Sequence, residues 1–205
     1  MFLKRYITGP IQVNTYLLAD ETTKDAIVID LGGDWEKIKK DSDELGFKIN
    51  YILLTHGHFD HILGLSETEE NIPVYMSEKD LFLTQNLSEM LSHFRIKSDV
   101  SSVKITNFID ETTALKFGNI QIKILSTPGH TPGGLSYFID GKVFCGDSLF
   151  KHSIGRTDLK GGNHSQLINS VKTKLFTLPP STVVYPGHHE QTTIQDEIEN
   201  NPFVR

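Results

Sequence analysis

The sequence predicts a mixed α/β chain of the α+β kind, with two mixed β-sheets flanked by helices. Three observations lead there. Short apolar runs with strand character alternate with longer amphipathic segments, and four of these runs end in a turn that carries a histidine or an aspartate. No tandem repeat, low-complexity tract or long Pro- or Ser-rich linker interrupts the 205 residues, so one domain over 1–205 is expected. Polar residues fed into loops along one edge fit a sandwich of two sheets, while composition alone leaves a doubly wound sheet open.

Residues 15–19 and 26–31 are apolar runs ended by polar or glycine residues and read as core strands. Residues 34–45 form a charged helix with Trp35, Ile38 and Leu45 on its apolar face and Gly46 as its stop. Residues 49–54 return as a strand that runs into Thr55-His56-Gly57-His58-Phe59-Asp60-His61, and residues 62–70 read as the helix that follows. Residues 74–76 are a short strand, 77–94 a helix with Ser77 as a cap, and 95–102 a polar loop. The period-two run of residues 120–125 predicts a strand ending at the turn around His130. Residues 135–139 and 142–145 make a hairpin across Asp140-Gly141 that stops at Gly146-Asp147. Residues 164–178 are helical, 182–185 a strand, and Pro186-Gly187-His188 the turn after it.

A 38% hydrophobic chain of this length can bury a substantial core. Twenty Lys plus Arg against 26 Asp plus Glu give a net charge of -6, which supplies no basic field for nucleic acid. No run is apolar enough for a secretory leader at the start or for a bilayer span later, so a cytoplasmic protein without a membrane partner is expected. Cys145 is the one cysteine, so neither an internal disulfide nor a thiolate metal site is available and any metal must use histidine and carboxylate.

Imidazole nitrogen and carboxylate oxygen suit zinc and other borderline divalent ions. His56, His58, Asp60 and His61 place four such groups within six residues, a density that surface or capping histidines do not explain. His130, Asp147 and His188 are the further candidates, each after a strand. His93, His152, His164 and His189 are assigned to solvent or caps, with His189 the one neighbour able to exchange with His188. Gly146-Asp147-Ser148-Leu149 also spells a serine-esterase string, but no Asp-x-x-His follows near the end, so Ser148 is not taken as a nucleophile.

Thr55-His56-Gly57-His58-Phe59-Asp60-His61 resembles the signature of the metallo-β-lactamase superfamily, and Pro128-Gly129-His130-Thr131, Gly146-Asp147 and Tyr185-Pro186-Gly187-His188 extend the likeness over nearly the whole chain. The resemblance implies an αββα sandwich and two divalent metal ions, zinc first, with iron or manganese as other occupants. It implies that His56, His58 and His130 hold one ion, that Asp60, His61 and His188 hold the other, and that Asp147 bridges them. Asp30-Leu31-Gly32-Gly33 resembles the family's early turn, whose aspartate orients a ligand. Asn14-Thr15-Tyr16 also looks familial, with a packing role.

Residues 146–150, 154–158 and 192–194 with 201–203 resemble the glyoxalase II branch, the hydroxyacylglutathione hydrolases, and most of all its short bacterial members. His189 stands where that branch commonly has glycine, and the helical C-terminal domain that contacts glutathione in full-length members is not expected before Arg205.

Two divalent ions outweigh two carboxylates, so the centre favours a small anionic substrate. Two ions ~3.5 to 4 Å apart can lower the pKa of a shared water towards ~7, and the resulting hydroxide is the expected nucleophile, with Asp60 and Asp147 as the catalytic carboxylates of the centre. A thioester suits this chemistry because its thiol, with a pKa near ~8.5, leaves without a general acid. Arg156, Lys151 and Lys160 are candidates for a substrate carboxylate, Arg156 with bidentate geometry. Other readings are a persulfide dioxygenase with one iron on His56, His130 and Asp147, a hydrolase of lactones, β-lactams or RNA, and a noncatalytic metal-binding module.

Overall fold

The computed structural model describes residues 1–68, 71–85, 87–96, 100 and 103–204. Its first sheet contains β1 (Phe2–Thr8), β2 (Val13–Ala19), β3 (Asp25–Ile29), β4 (Lys48–Leu53), β5 (Val74–Met76) and β6 (Asn107–Phe108) in that order. Strand β2 pairs antiparallel with both β1 and β3, and β3 to β6 run parallel. The second sheet has the order β14 (Thr192–Thr193), β13 (Val183–Pro186), β10 (Lys142–Gly146), β9 (Leu135–Ile139), β8 (Ile120–Ser126) and β7 (Leu115–Phe117). Two separate mixed sheets replace the doubly wound alternative.

Strands β2 and β3 are apolar on both faces because both faces are covered. Leu17, Ala19 and Val28 meet Trp35 and Ile38 of α1 (Trp35–Glu44), while Tyr16, Leu18, Ile27 and Ile29 meet Phe117, Ile124, Tyr137 and Phe144 of the other sheet. The far side of the second sheet, through Val143 and Cys145, packs on Leu167 of α5 (His164–Ser170) and Ile194 of α6 (Ile194–Asn200). The layers are therefore helix, sheet, sheet, helix. Two buried hydroxyls bridge the sheets at one edge: Tyr16 Oη donates to Pro186 O at 2.6 Å and Tyr137 Oη to Leu54 O at 2.6 Å.

Several expected elements change length. Asp60 and His61 sit inside a one-turn helix, α2 (Phe59–Ile62), and Leu63–Glu67 is a tighter 3-10 segment; the rest of the expected helix, residues 69 and 70, lies outside the described residues. The expected helix 77–94 is broken into a 3-10 turn, α3 (Leu81–Thr84) and α4 (Leu87–His93), and Asn86 lies outside the described residues. The break has a cause at its start, where Asp80 is drawn off the helix surface into three hydrogen bonds with other loops. The helix from residue 164 widens after Ser170 into a π-helical stretch, Val171–Leu175, with Phe176 N donating to Val171 O at 2.9 Å. Of the expected loop 95–102, residues 97–99, 101 and 102 lie outside the described residues. Strands β1, β6, β7, β14 and the small pair β11 (Leu149–Phe150) and β12 (Ser153–Ile154), with helix α6, add to the expected set. No helix among the described residues is long and apolar enough to cross a membrane.

Trp35 is 1% exposed against the outer face of the first sheet. Trp35→Ala is expected to cost about 3–5 kcal/mol, read as a lower urea midpoint at unchanged slope. A midpoint within error of the parent would contradict the packing described for α1.

Candidate metal centre

Five strands deliver the site. Leu54 continues β4 by donating its N–H to Tyr75 O at 2.9 Å, and the chain then turns through Thr55, His56 and His58 into α2. Strand β8 ends before His130, β10 before Asp147, β13 before Gly187-His188 and β3 before Asp30. A register shift between Phe144 and Gly146 re-aims β10, and Gly146 takes φ 51° against the Thr55 side chain. At Gly187 a Cβ would collide with the Asp147 carboxylate and the His61 ring, so the turn that presents His188 needs glycine.

The donors converge in three overlapping groups, His56 with His58 and His130, His56 with His61 and Asp147, and Asp60 with His61 and His188, with the donor atoms of each group within 4.8 Å of one another. Two of the rings are fixed from behind. Asp30, buried and at φ 54°, accepts from Thr55 N at 2.7 Å and Thr55 Oγ1 at 2.8 Å, and takes His61 Nδ1 at 2.8 Å. That bond leaves His61 Nε2 facing the cleft. His130 Nδ1 donates to Arg156 O at 2.7 Å, which frees its Nε2, and this lies 2.8 Å from His58 Nδ1. His188 Nε2 sits 3.0 Å from Asp60 Oδ2 and 3.7 Å from Asp147 Oδ2, and His130 Nε2 is 3.6 Å from the same Asp147 oxygen.

The loops are tied by residues outside the predicted set. Asp80 Oδ2 accepts from Gly57 N at 3.0 Å and Thr131 Oγ1 at 2.7 Å, and its Oδ1 from Gly133 N at 2.6 Å, so one buried carboxylate clamps the His56-to-His58 turn to the His130 turn. Asn14 Nδ2 donates to Pro186 O at 3.0 Å and His189 O at 2.9 Å, holding the turn of His188. Beyond its packing role, Asn14-Thr15-Tyr16 thus positions a donor.

Burial and like neighbours push His56 well below its ordinary pKa and His58 down to about 3. Burial alone would lower His61, but the carboxylates of Asp30, Asp60 and Asp147 outweigh it and raise the ring well above 6.5. Burial opposes ionisation of Asp147, yet His61, His130 and His188 hold it well below the usual carboxylate range. His56 Nε2, His61 Nε2 and Asp147 Oδ1 are buried with no hydrogen-bond partner among the described residues. A folded protein rarely tolerates such orphans, and cations shared by these atoms would satisfy all three.

The remaining candidates separate. Lys151 is exposed and does not line the cleft above the donors, whereas Arg156 does. The Arg156 fork is engaged by Asp158, Nε and Nη2 each at 2.7 Å from a carboxylate oxygen. His189 is exposed with its ring 5.9 Å from Phe150, apart from the three donor groups. Ser148 is buried and donates to Thr127 O at 3.4 Å. A fourth cluster, His152, Asp196 and Glu197, differs in kind: Glu197 is satisfied by His152 N, Thr192 and Asn201, so it is a closed hydrogen-bond network.

A two-sheet sandwich with histidine and aspartate donors at the strand ends defines a class of metal-dependent hydrolases. Residues 8–188 match the Metallo-beta-lactamase superfamily, and the chain belongs to it. It is 38% identical over 205 residues to a probable metallo-hydrolase, YqgX, of Bacillus subtilis, covering 98% of this chain and 96% of that one. It is 35% identical to the hydroxyacylglutathione hydrolase GloC of Haemophilus influenzae, over 94% of this chain and 93% of that protein. Among solved structures it is similar to BLEG-1 B3 metallo-beta-lactamase, with TM-score 0.87, 35% identity and 99% of both chains covered. It is also similar to TTHA1623 in a di-iron-bound form, with TM-score 0.86, 33% identity and 98% and 99% covered. The histidine and aspartate clusters fit a dinuclear metal site of this superfamily.

Asp30→Asn keeps a residue that tolerates positive φ but replaces one acceptor by a donor, so it is expected to weaken metal binding about 10- to 100-fold with unchanged circular dichroism. Parent-like affinity would remove Asp30 from any role in aiming His61. Because His61 is raised above its ordinary value of 6.5, the metal-free ring carries a proton at neutral pH that loading must expel. Apparent metal affinity should therefore rise with pH through neutrality, with calorimetric heats that depend on the buffer; buffer-independent heats would refute this.

Proposed function

We propose that the protein hydrolyses a thioester of the hydroxyacylglutathione type, using two divalent cations held by its histidines and aspartates. The observation that carries the reading is the set of three donor groups, each within 4.8 Å, of which His58, Asp60, His130, Asp147 and His188 line one cleft. In this reading His56, His58 and His130 would hold one cation and Asp60, His61 and His188 the second, with the Asp147 carboxylate available to both. When bound, such a pair supplies an activated water and polarises the substrate carbonyl.

The chain's own residues do the rest. Asp30 keeps His61 Nε2 turned into the cleft, and the Arg156 carbonyl does the same for His130 Nε2. Oxygen from water adds to the carbonyl carbon, the C–S bond breaks, and the thiolate leaves with the bonding electrons. A thiol of pKa near ~8.5 needs no acid from the protein. The excess positive charge of a loaded centre, with Lys160 at the rim of the adjoining cavity, suits a small anionic substrate. Similarity to GloC supports the thioester. Zinc is the expected occupant, and iron is the alternative that the di-iron form of TTHA1623 supports. A cytoplasmic setting is part of the reading, supported by a lone buried Cys145.

A mononuclear iron dioxygenase would use His56, His130 and Asp147 and would leave Asp60, His61 and His188 without an ion. The close hold of buried Asp30 on His61 favours the binuclear site.

The test combines metal analysis with thiol release from S-lactoylglutathione and with opening of a β-lactam. Two ions per chain and thiol release that falls at least about 100-fold in Asp147→Ala are expected. Full activity after metal removal, or β-lactam opening without thiol release, would end the proposal.

A further inference from the structure

A second cavity, of about 230 Å³, opens beside the donors and shares His58, Met90, Phe94 and Leu159 with the cleft above them. Phe82 and Leu83 of α3 complete its apolar lining, His93 also lines it, and Lys160 stands at its rim with Nζ 5.6 Å from the Phe82 ring centre. Two of its other wall segments have different reasons to be apolar. In α4, Leu87 and Leu91 are buried in the core under the first sheet. Met90 and Phe94, one turn apart and joined by Phe94 N to Met90 O at 3.0 Å, form a second stripe along the cavity.

Leu159 is more telling. It sits in the polar run Asp158 to Gly162, lies outside the three clusters of buried side chains, and is only half-buried. The loop is turned to present it, with Gly162 N bonding Leu159 O at 2.9 Å, φ 88° at Gly161, and the Arg156–Asp158 pair bracing the entry. An apolar side chain held in a polar loop, facing the metal-side cavity, suits a ligand rather than the core.

We infer that this cavity receives the acyl side chain of the substrate, and that the enzyme takes thioesters of 2-hydroxy acids carrying an aryl or branched alkyl group in preference to the small lactoyl group. The inference rests on the thioesterase reading. With the carbonyl at the donors, the two arms of a thioester diverge. The glutathione arm carries carboxylates that would lose their hydration in an apolar cavity, so it stays in the cleft, whose lining also holds Arg156 and His188. The acyl arm enters. A cavity of about 150 Å³ accepts benzene, so 230 Å³ admits a phenyl ring with its carbinol carbon.

The test compares S-mandeloylglutathione and S-lactoylglutathione on metal-loaded protein. Burial of the ring is expected to raise kcat/KM for the mandeloyl ester by about tenfold or more over lactoyl. Leu159→Trp, which fills the cavity from an exposed loop, should bring that ratio down towards one, and Leu159→Ala should lower it by less. A ratio near one in the parent, or a ratio that both variants leave unchanged, would overturn the inference. Calorimetric binding of mandelate and lactate to the metal-loaded protein separates the two readings. If neither ester is cleaved the thioesterase reading fails, and tighter binding of mandelate, weakened by Leu159→Trp, still supports the apolar acid pocket. Equal affinities for the two acids overturn it.

Discussion

Asp30 follows β3 with its backbone at positive φ, buried from solvent, and its two oxygens go to the Thr55 amide, the Thr55 hydroxyl and the Nδ1 of His61. A carboxylate in such a place is stable only when donors surround it, and the donors it finds are the first residue of the histidine turn and the ring at that turn's far end. The same bonds that make its burial tolerable fix the turn against β3. His61 then has one nitrogen left, and the direction of that nitrogen is settled by the one already bonded. The rest of the centre is arranged around this ring, with Asp147 Oδ1 at 3.4 Å and Asp60 Oδ2 at 3.7 Å.

The architecture makes such convergence possible because the donors hang from strand ends in both sheets. His56 to His61 follow a strand of the first sheet, whereas His130, Asp147 and His188 follow strands of the second. The two sheets are held together at that edge by Tyr16 and Tyr137, whose buried hydroxyls end on the carbonyls of Pro186 and Leu54, next to the turns of His188 and His56. Asp80 adds a third tie, from the first-sheet turn at Gly57 to the second-sheet turn at Thr131 and Gly133. Registration between sheets, elsewhere a matter of apolar packing that tolerates small slips, is at this edge set by directional bonds.

What could be read from the sequence follows from this division. The donors were legible because ligation demands a few residue types at short spacing, and His56 to His61 have no bland explanation of that density. The covered strands were legible for a similar reason, as β2 and β3 carry uninterrupted apolar runs. Asp80 was not legible. In Ser-Glu-Lys-Asp it looks like the solvated start of a helix, and its partners at Thr131 and Gly133 lie 51 and 53 residues away. Its bonds also sit where the 3-10 turn passes into α3, at the start of the helix expected over 77–94. Arg156 shows a related limit, since its guanidinium drew attention as an anion binder while the atom that touches the centre is its carbonyl. Strand β1, with Lys4 and Arg5 at its middle, lacks the apolar signature because it is an edge strand.

The bonds that hold the donors come from Asp30 after β3, from Asp80 ahead of α3 and from the Arg156 carbonyl, and the last two lie close in sequence to the far side of the cleft. That far side is made of α3, α4 and the loop around Leu159, joined by apolar contacts and by the Arg156–Asp158 pair, whose exposed setting contributes little to stability. The side chains of Met90 and Leu159 make none of those bonds. A ligand motif alone therefore does not distinguish a thioester from a lactone or a β-lactam. Substrate preference has to be read from the side chains that face the donors, and here those are Phe82, Leu83, Met90, Phe94 and Leu159, with His93 among them and Lys160 at the rim.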